Sequence, residues 1–409
     1  MFRKLFQGGM LALCLAVTTV SAFAQAITSE EKEAVLKGVE EILTQRAFVP
    51  GADLKKWPEL LAKHKEAIDK AEEQPAFTLA VNRALREFGF SHVRLQTPRG
   101  AQARNSTTAV GVGFAARPEK DGLVVTNVMP KSSAEEAGIK PGHKIVSVDG
   151  KPAENTTALG GDKDTEVTVK VKDEAGVERE VKLKRTEFST VRKETLTWVD
   201  DETAVLRVFT FSRGYDGKNI ESLISEANDK KAKHLIVDLR SNGGGAVNNL
   251  QHMLSLLLPP DTVVGTFISR VAATRYFEEK KTDVADPVEI AKWYDRKYRT
   301  SARPVNFKGK IAVLTNRGSA SASEIAAAAL KENVKAPVVG SRTAGAVLAS
   351  VFGRLPHGFQ LQYPVSDFVT AGGIRLEGNP VLPDAEVTGR AEDGKDPAVA
   401  KAIELLKGG

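Results

Sequence analysis

The sequence predicts an α/β chain in which a helical N-terminal stretch and a β-rich insert precede a mixed core. Three observations lead there. Apolar residues recur at helical spacing from residue 28 to about 97, alternate from about 106, and after about 189 fall into a strand–helix succession. A chain of 409 residues is also too long for one ordinary core. The expected units are a leader at 1–24, a helical region at 25–105, a β domain at 106–188, an α/β core at 189–390 and a closing helix at 391–409.

The leader, "MFRKLFQGGMLALCLAVTTVSAFA", has a basic start at Arg3 and Lys4, an apolar stretch, and the small-x-small ending Ala22-Phe23-Ala24. That is the pattern of a secretory signal cleaved before Gln25, and it predicts a periplasmic or secreted protein. The apolar run is short and broken by Thr18, Thr19 and Ser21, so no stable membrane anchor is expected. The one cysteine, Cys14, lies inside it, so the mature chain has no thiol, disulfide or thiolate metal site. Arg3 and Lys4 are the leader's only charged residues, so its removal lowers the formal charge from +6 to +4. Lysines and glutamates alternate through "EEKEAVLKGVEE" and "VEREVKLKR", a solvated surface with no basic block for nucleic acid.

"TSEEKEAVLKGVEEILTQ" starts on a Thr/Ser cap and repeats apolar residues at Val35, Val39, Ile42 and Leu43. "FTLAVNRALREFGF" is a second amphipathic helix and delivers "SHVRL". "TPRGAQARNSTT" reads as a linker. From there to "VEREVKLKR", short strands alternate with Gly and Pro turns and end in a hairpin. This stretch resembles a PDZ domain: Gly111-Val112-Gly113-Phe114 matches the loop whose N–H groups receive a peptide's terminal carboxylate, and "SSAEEAGIKPGHKIVSVDG" matches the short helix and next strand. The resemblance implies capture of C-terminal tails by strand addition. Only eight residues separate Asp149-Gly150 from Leu159-Gly160-Gly161, too few for the usual groove-lining helix, which leaves a purely structural role open. After 189, "TAVLRVFTF", "HLIVDL", "KIAVLTN" and "APVVG" are strands alternating with helices. "EEKKTDVADPVEIAKWYDRKYRTSARP" is a charged excursion, a candidate lid or substrate-facing arm, and "DPAVAKAIELLKGG" is a capped closing helix.

Two stretches carry chemistry. In "NRGSASASEI", Ser321 and Glu324 have the spacing of a capping box, so the motif either just starts a helix or presents a nucleophile at a helix N-terminus. In "HLIVDLRSNGGGAVNN", a strand runs into Asn242-Gly243-Gly244-Gly245. Asn248 stands where a dinucleotide-binding loop needs its last glycine, and no Gly-Lys-Ser/Thr follows. An oxyanion site and an ordinary tight turn remain.

"VDLRSNGGG", then "NRGSASASEIAAAAL", "VVGSRTAG" and "LEGNPVLPD", with the PDZ-like region ahead, resembles the carboxyl-terminal processing (tail-specific) serine proteases. The resemblance implies a crotonase/ClpP-like α/β protease core with an inserted PDZ domain and no metal or organic cofactor. It places the nucleophile on Ser321 and oxyanion donors on Ala322 and on Gly244 or Gly245. In that family a lysine in a T-x-G-K segment is the base. Here the segment is Thr343-Ala344-Gly345-Ala346, and Lys331 and Lys335 lie along the helix leaving Ser321, roughly 15 Å or more away at ~1.5 Å per residue.

A serine hydroxyl needs an adjacent base. Of the histidines, His64 looks solvated, His143 and His234 fit structural positions, and His252 faces a core. His92 follows the second helix where tricorn-core proteins carry a catalytic histidine, preceded in tricorn by a serine, as by Ser91 here. That branch orients the imidazole with a glutamate, which falls on Glu377. The resemblance thus implies Ser321 as nucleophile, His92 as general base and Glu377 as its orienter, with Ser91 bridging them or stabilising the turn. Phe90, Val93 and Pro380 depart from the branch pattern. His357, in "RLPHGFQLQ", is the alternative base. The expected function is serine endopeptidase acting on protein or peptide substrates. The alternative is a non-catalytic binding homologue in which the missing lysine records lost activity.

Overall fold

The computed structural model describes residues 25–389 and 395–408; the predicted leader, with Cys14, residues 390–394 and Gly409 lie outside the described residues. Among the described residues no helix is long and apolar enough to cross a membrane. Helix α1 (Ser29–Gln45) starts on a capping box between Thr28 and Glu31 and buries Val35, Val39, Ile42 and Leu43, the stripe its spacing predicts. α2 (Trp57–Ala62), α3 (Lys65–Asp69) and α4 (Gln74–Arg86) follow, and α4 buries Phe77, Val81 and Leu85. The short strand β1 (Arg94–Gln96) leads into α5 (Pro98–Asn105). The expected linker is therefore a helix. Thr97 Oγ1 accepts from Gly100 N–H at 3.1 Å, and Pro98 occupies the first turn, where its missing N–H costs nothing.

The β-rich insert hangs on a two-stranded ribbon, β2 (Thr108–Gly111) paired antiparallel with the later β9 (Thr186–Ser189). Between them lie β3 (Phe114–Glu119), β4 (Gly122–Val128), α6 (Ser133–Glu136), β5 (Lys144–Val148), β6 (Lys151–Pro152), β7 (Glu166–Lys172) and β8 (Glu178–Lys184). The main path runs β3-β4-β5-β7-β8, which leaves β3 on an edge. The eight-residue connection forms β6 and one 3₁₀ turn, Thr156–Leu159, which lies against β3 in place of a long helix.

The core holds β10 (Thr195–Trp198), β11 (Thr203–Arg207), α7 (Gly217–Asp229), β12 (His234–Asp238), α8 (Val247–Leu257), β13 (Val263–Ser269), α9 (Arg270–Lys280), α10 (Pro287–Trp293), β14 (Tyr298–Arg299), β15 (Lys310–Thr315), α11 (Ala322–Val334), β16 (Val338–Gly340), β17 (Ala349–Arg354), β18 (Gln360–Thr370), β19 (Ala385–Glu386) and α12 (Pro397–Gly408). One sheet has the order β10-β11-β12-β15-β16-β19, parallel apart from β10. Both its faces are covered, which is why "LIV", residues 235–237 of β12, is continuously apolar. Leu235 and Val237 pack with α8 and α11, while Ile236 packs with Ala402 and Leu406 of α12. Burying each such side chain is worth about 1.5–3 kcal/mol.

The second sheet is antiparallel, ordered β1-β18-β13-β14 with β17 also on β18. It joins the N-terminal helices to the core: Leu355, Phe359, Leu361 and Tyr363 share one apolar cluster with α1 and α4. β1 pairs with Gln360–Gln362 of β18, so the chain just after His92 is a strand of this sheet. The charged excursion packs on this second sheet. Ile290 and Ala291 of α10 and Ala273 of α9 build a satellite core on β13 and β18, with Phe48 against it. Burying that apolar face draws α9 and α10 onto the sheet, and further along Tyr298 packs its ring on Phe267 at 5.2 Å and donates to the Val247 carbonyl at 2.8 Å.

Candidate active site

The three serines of "GSASAS" have different fates. Ser319 Oγ donates to the Leu239 carbonyl at 2.8 Å and Ser323 Oγ to the Asn242 carbonyl at 2.8 Å, both buried. Among the described residues Ser321 Oγ donates to no protein acceptor, and Ser321 lines a cavity of ≈ 440 Å³. Its backbone is held at φ 57°, ψ −119°, a left-handed conformation that costs a non-glycine residue about 1–3 kcal/mol. The strain is imposed from both sides, because Ser321 N–H donates to the Ala346 carbonyl at 2.9 Å and to Glu324 Oε2 at 3.1 Å. A sharp turn from strand to helix that lifts a hydroxyl out of the backbone is how a nucleophile is presented.

Glu324 does more than cap. Its fully buried carboxylate also accepts from Thr343 Oγ1 at 2.5 Å, Gly345 N–H at 2.7 Å and Ala346 N–H at 2.9 Å. It clamps Thr343–Ala346, the segment in which the family resemblance implies a lysine. The only sequence signal for this was the S-x-x-E spacing, which pointed to a cap alone. Gly345 has φ 76°, and a Cβ there would stand 3.2 Å from Pro380 Cδ, so the departure at Pro380 is absorbed against a glycine.

The glycine run packs directly on this turn. A Cβ on Gly244 would lie 2.7 Å from Ser321 Cβ and 2.9 Å from Ala322 N, so only glycine fits. The amide of Gly244 is not an available oxyanion donor, because it donates to Asn242 Oδ1 at 3.0 Å. Of the two alternatives, that leaves Gly245. Gly245 and Ala322 have no protein acceptor for their N–H groups among the described residues, and both line the cavity. Ala322 is the first residue of α11, where the helix dipole adds to the donor.

His92 lines the same cavity, brought there by the pairing of β1 with β18. No hydrogen bond joins its ring to Ser321 Oγ among the described residues; such contacts commonly tighten only when substrate is bound. Behind the ring the geometry is defined. Ser91 Oγ donates to Glu377 Oε2 at 2.8 Å and lies 2.6 Å from His92 Nδ1. A hydroxyl has one proton, so with that proton on Glu377 it accepts from Nδ1–H and leaves Nε2 unprotonated. Glu377 does not touch the imidazole; Ser91 bridges them. The carboxylate also accepts from Ser91 N–H at 2.7 Å and Val347 N–H at 2.8 Å, which ties it to the clamped segment. Phe90 stacks on Phe88 at 5.3 Å and Val93 is buried, so apolar packing anchors the turn on both sides of His92.

Burial holds the His92 imidazole below its ordinary value, and the Glu377 charge pulls the other way. The neutral base therefore persists as pH falls. With His92 as base, kcat/KM stays level near neutrality and drops only below pH ~6.5, as protonation removes the Nε2 lone pair. In Glu377→Gln the opposing pull is gone. The acid limb then moves to lower pH while the rate falls by up to about 10⁴-fold, as when a triad carboxylate is neutralised. A limb that moves up in this variant, read from pH–rate profiles, contradicts the arrangement.

The other candidates lie elsewhere. His357 stands 3.4 Å from Glu31 of α1 and does not line the cavity. Lys331 pairs with Asp384 at 2.6 Å and Lys335 donates to the Glu332 carbonyl, both toward the far end of α11. In the β-rich insert the carbonyls of Val112 and Gly113 are tied inward, accepting from Ala134 N–H at 3.0 Å and Met129 N–H at 2.8 Å. The N–H groups of Val112 and Gly113 meet no protein acceptor among the described residues, beside the edge strand that Phe114 begins and just beyond Gly111, which is engaged in the ribbon.

Residues 202–387 match the model of peptidase family S41, and residues 101–171 match that of the PDZ domain. A probable CtpA-like serine protease of Staphylococcus epidermidis is 27% identical over 286 residues, covering 68% of this chain and 53% of the relative. One from Staphylococcus aureus is 27% identical over 284 residues, covering 68% and 52%. The chain thus spans about half the length of these relatives. Among solved structures, the photosystem II D1 C-terminal processing protease superposes with a TM-score of 0.54 at 21% identity, covering 93% of this chain and 98% of that one. A putative S41 protease from Bacteroides fragilis gives 0.59 at 16% identity, covering 91% and 97%. These likenesses show a shared fold.

Proposed function

We propose that this chain, whose residues 202–387 match the model of peptidase family S41, is a serine endopeptidase of the carboxyl-terminal processing type that uses a histidine where the lysine-type proteases of that kind use a lysine. The observation that carries the reading is the common cavity: a hydroxyl without an acceptor, two amides without acceptors, and an imidazole whose Nδ1 is fixed from behind. Ser321 Oγ attacks the peptide carbonyl carbon while His92 Nε2 takes its proton. The oxyanion sits between the N–H groups of Gly245 and Ala322. His92 returns the proton to the leaving amine as the C–N bond breaks. Water then attacks the acyl-enzyme by the same route reversed.

The non-catalytic reading rested on the missing lysine, and an alternative base in the cavity removes that ground. Substrates are unfolded or extended peptides, with tails that pair with the free edge of β3 as candidates for capture by the PDZ domain. The leader at 1–24 supports export to the periplasm or beyond.

The test is to treat the purified mature chain with a fluorophosphonate and map the adduct, alongside cleavage of an unfolded polypeptide. One adduct on Ser321 together with cleavage is the expected result. A chain that neither labels nor cleaves overturns the proposal.

A further inference from the structure

The cavity around Ser321 has a one-sided lining. Its floor is apolar, with Leu250, Phe267, Ile325 and Leu348, and among the described residues lining it Arg104 alone carries a permanent charge; no carboxylate faces it. Arg104 sits in the last turn of α5, the helix the sequence disguised as a linker. Its guanidinium lies 3.5 Å from the centroid of the Phe352 ring, which also lines the cavity. Nε donates to Gln96 Oε1 at 3.3 Å and Nη2 to Gln360 Oε1 at 2.8 Å.

These contacts orient the group without neutralising it. Two of its five N–H donors are used, both by neutral amides, and among the described residues it makes no ion pair. Beside it Arg213 donates to the Asn105 carbonyl at 2.6 Å and likewise has no ion pair among the described residues. Partial desolvation first, and the neighbouring Arg213 charge second, push the Arg104 guanidinium down, although the residue stays largely exposed. A planar fork held in place with its charge unpaired matches a carboxylate bidentately.

We propose that Arg104, backed by Arg213, receives a carboxylate of the bound peptide, so that the site favours chains carrying a negative charge within a few residues of the cleaved bond. This rests on the peptidase reading above and specifies its substrate class. The carboxylate comes from a free C-terminus or from an Asp or Glu side chain; both present the same two oxygens.

The experiment uses matched fluorogenic peptides on the full mature chain: one pair differing only in a free or amidated C-terminus, and one amidated pair differing only in Glu or Gln. The acidic member of at least one pair is favoured in kcat/KM by about tenfold or more, the worth of a charge-assisted pair. That ratio falls towards one in Arg104→Gln, survives in part in Arg104→Lys, and inverts in favour of a Lys-containing peptide in Arg104→Glu. Which pair responds identifies the source of the carboxylate. Cleavage without discrimination in both pairs, or an unchanged ratio in Arg104→Gln, overturns the proposal and leaves Arg104 a surface arginine stacked on Phe352. Anisotropy of the same peptides on the Ser321→Ala chain separates the two readings. Acid preference that depends on Arg104 without any cleavage by the wild type sinks the peptidase and keeps the receptor. Neither binding nor cleavage sinks both.

Discussion

Ser321→Ala abolishes peptide cleavage, with a loss in kcat on the order of 10⁶-fold, and leaves the fold as stable as before. The two halves of this expectation have separate physical grounds. The hydroxyl is the only atom removed, and it donates to no protein group among the described residues, so no buried partner is left unsatisfied. Its neighbours serve as controls. Ser319→Ala and Ser323→Ala each remove a 2.8 Å hydrogen bond to a buried carbonyl that keeps one backbone donor, and cost about 0.5–1.5 kcal/mol, read as a lower midpoint in denaturant. Activity lost with stability intact at 321, and stability lost at 319 and 323, is the pattern that separates chemistry from architecture. Cleavage that persists in Ser321→Ala removes that residue from the mechanism.

His92→Ala lowers turnover about as far, because nucleophile and base act as one unit and removing either leaves only the binding and oxyanion contributions. His357→Ala keeps the wild-type rate and shifts stability by no more than about 0.5 kcal/mol, since that side chain lies exposed beside Glu31. Single-turnover kinetics on the two variants decide between the histidines. Equal losses in both would mean that the base had been misidentified.

How much of this was legible beforehand varies with the range of the interaction. The serine motif, the glycine run and the apolar strands are local patterns, and they were readable because the period of the apolar residues reports local geometry. The pairing of Ser91 with Glu377 spans 286 positions and depends on a three-residue strand, Arg94–Gln96, too short for any periodicity to reveal. The residues themselves could be named only through a family likeness; that Ser91 bridges the two partners required the fold. α5 was hidden by a composition of Pro, Gly and polar residues that ordinarily breaks helices, against which a Thr97 cap and a proline at the first turn were sufficient. The choice between Gly244 and Gly245 as donor stayed open because glycine content reports where backbone approaches closely, not where each N–H points. The side chain of Asn242 captures the Gly244 amide, two residues on. Glu324 was seen as a cap because the motif describes two residues, whereas its four donors come from two segments that meet only in the folded chain.

The central claim is that the His92 imidazole, fixed through Ser91 and Glu377, takes the proton of Ser321. The distance from His92 Nε2 to Ser321 Oγ in a crystal structure of the phosphonate-treated protein tests it most directly. The account predicts a hydrogen bond of about 2.6–3.2 Å, with Ser91 still bridging Nδ1 to Glu377. An imidazole turned out to solvent, with some other group at that distance from Oγ, contradicts it.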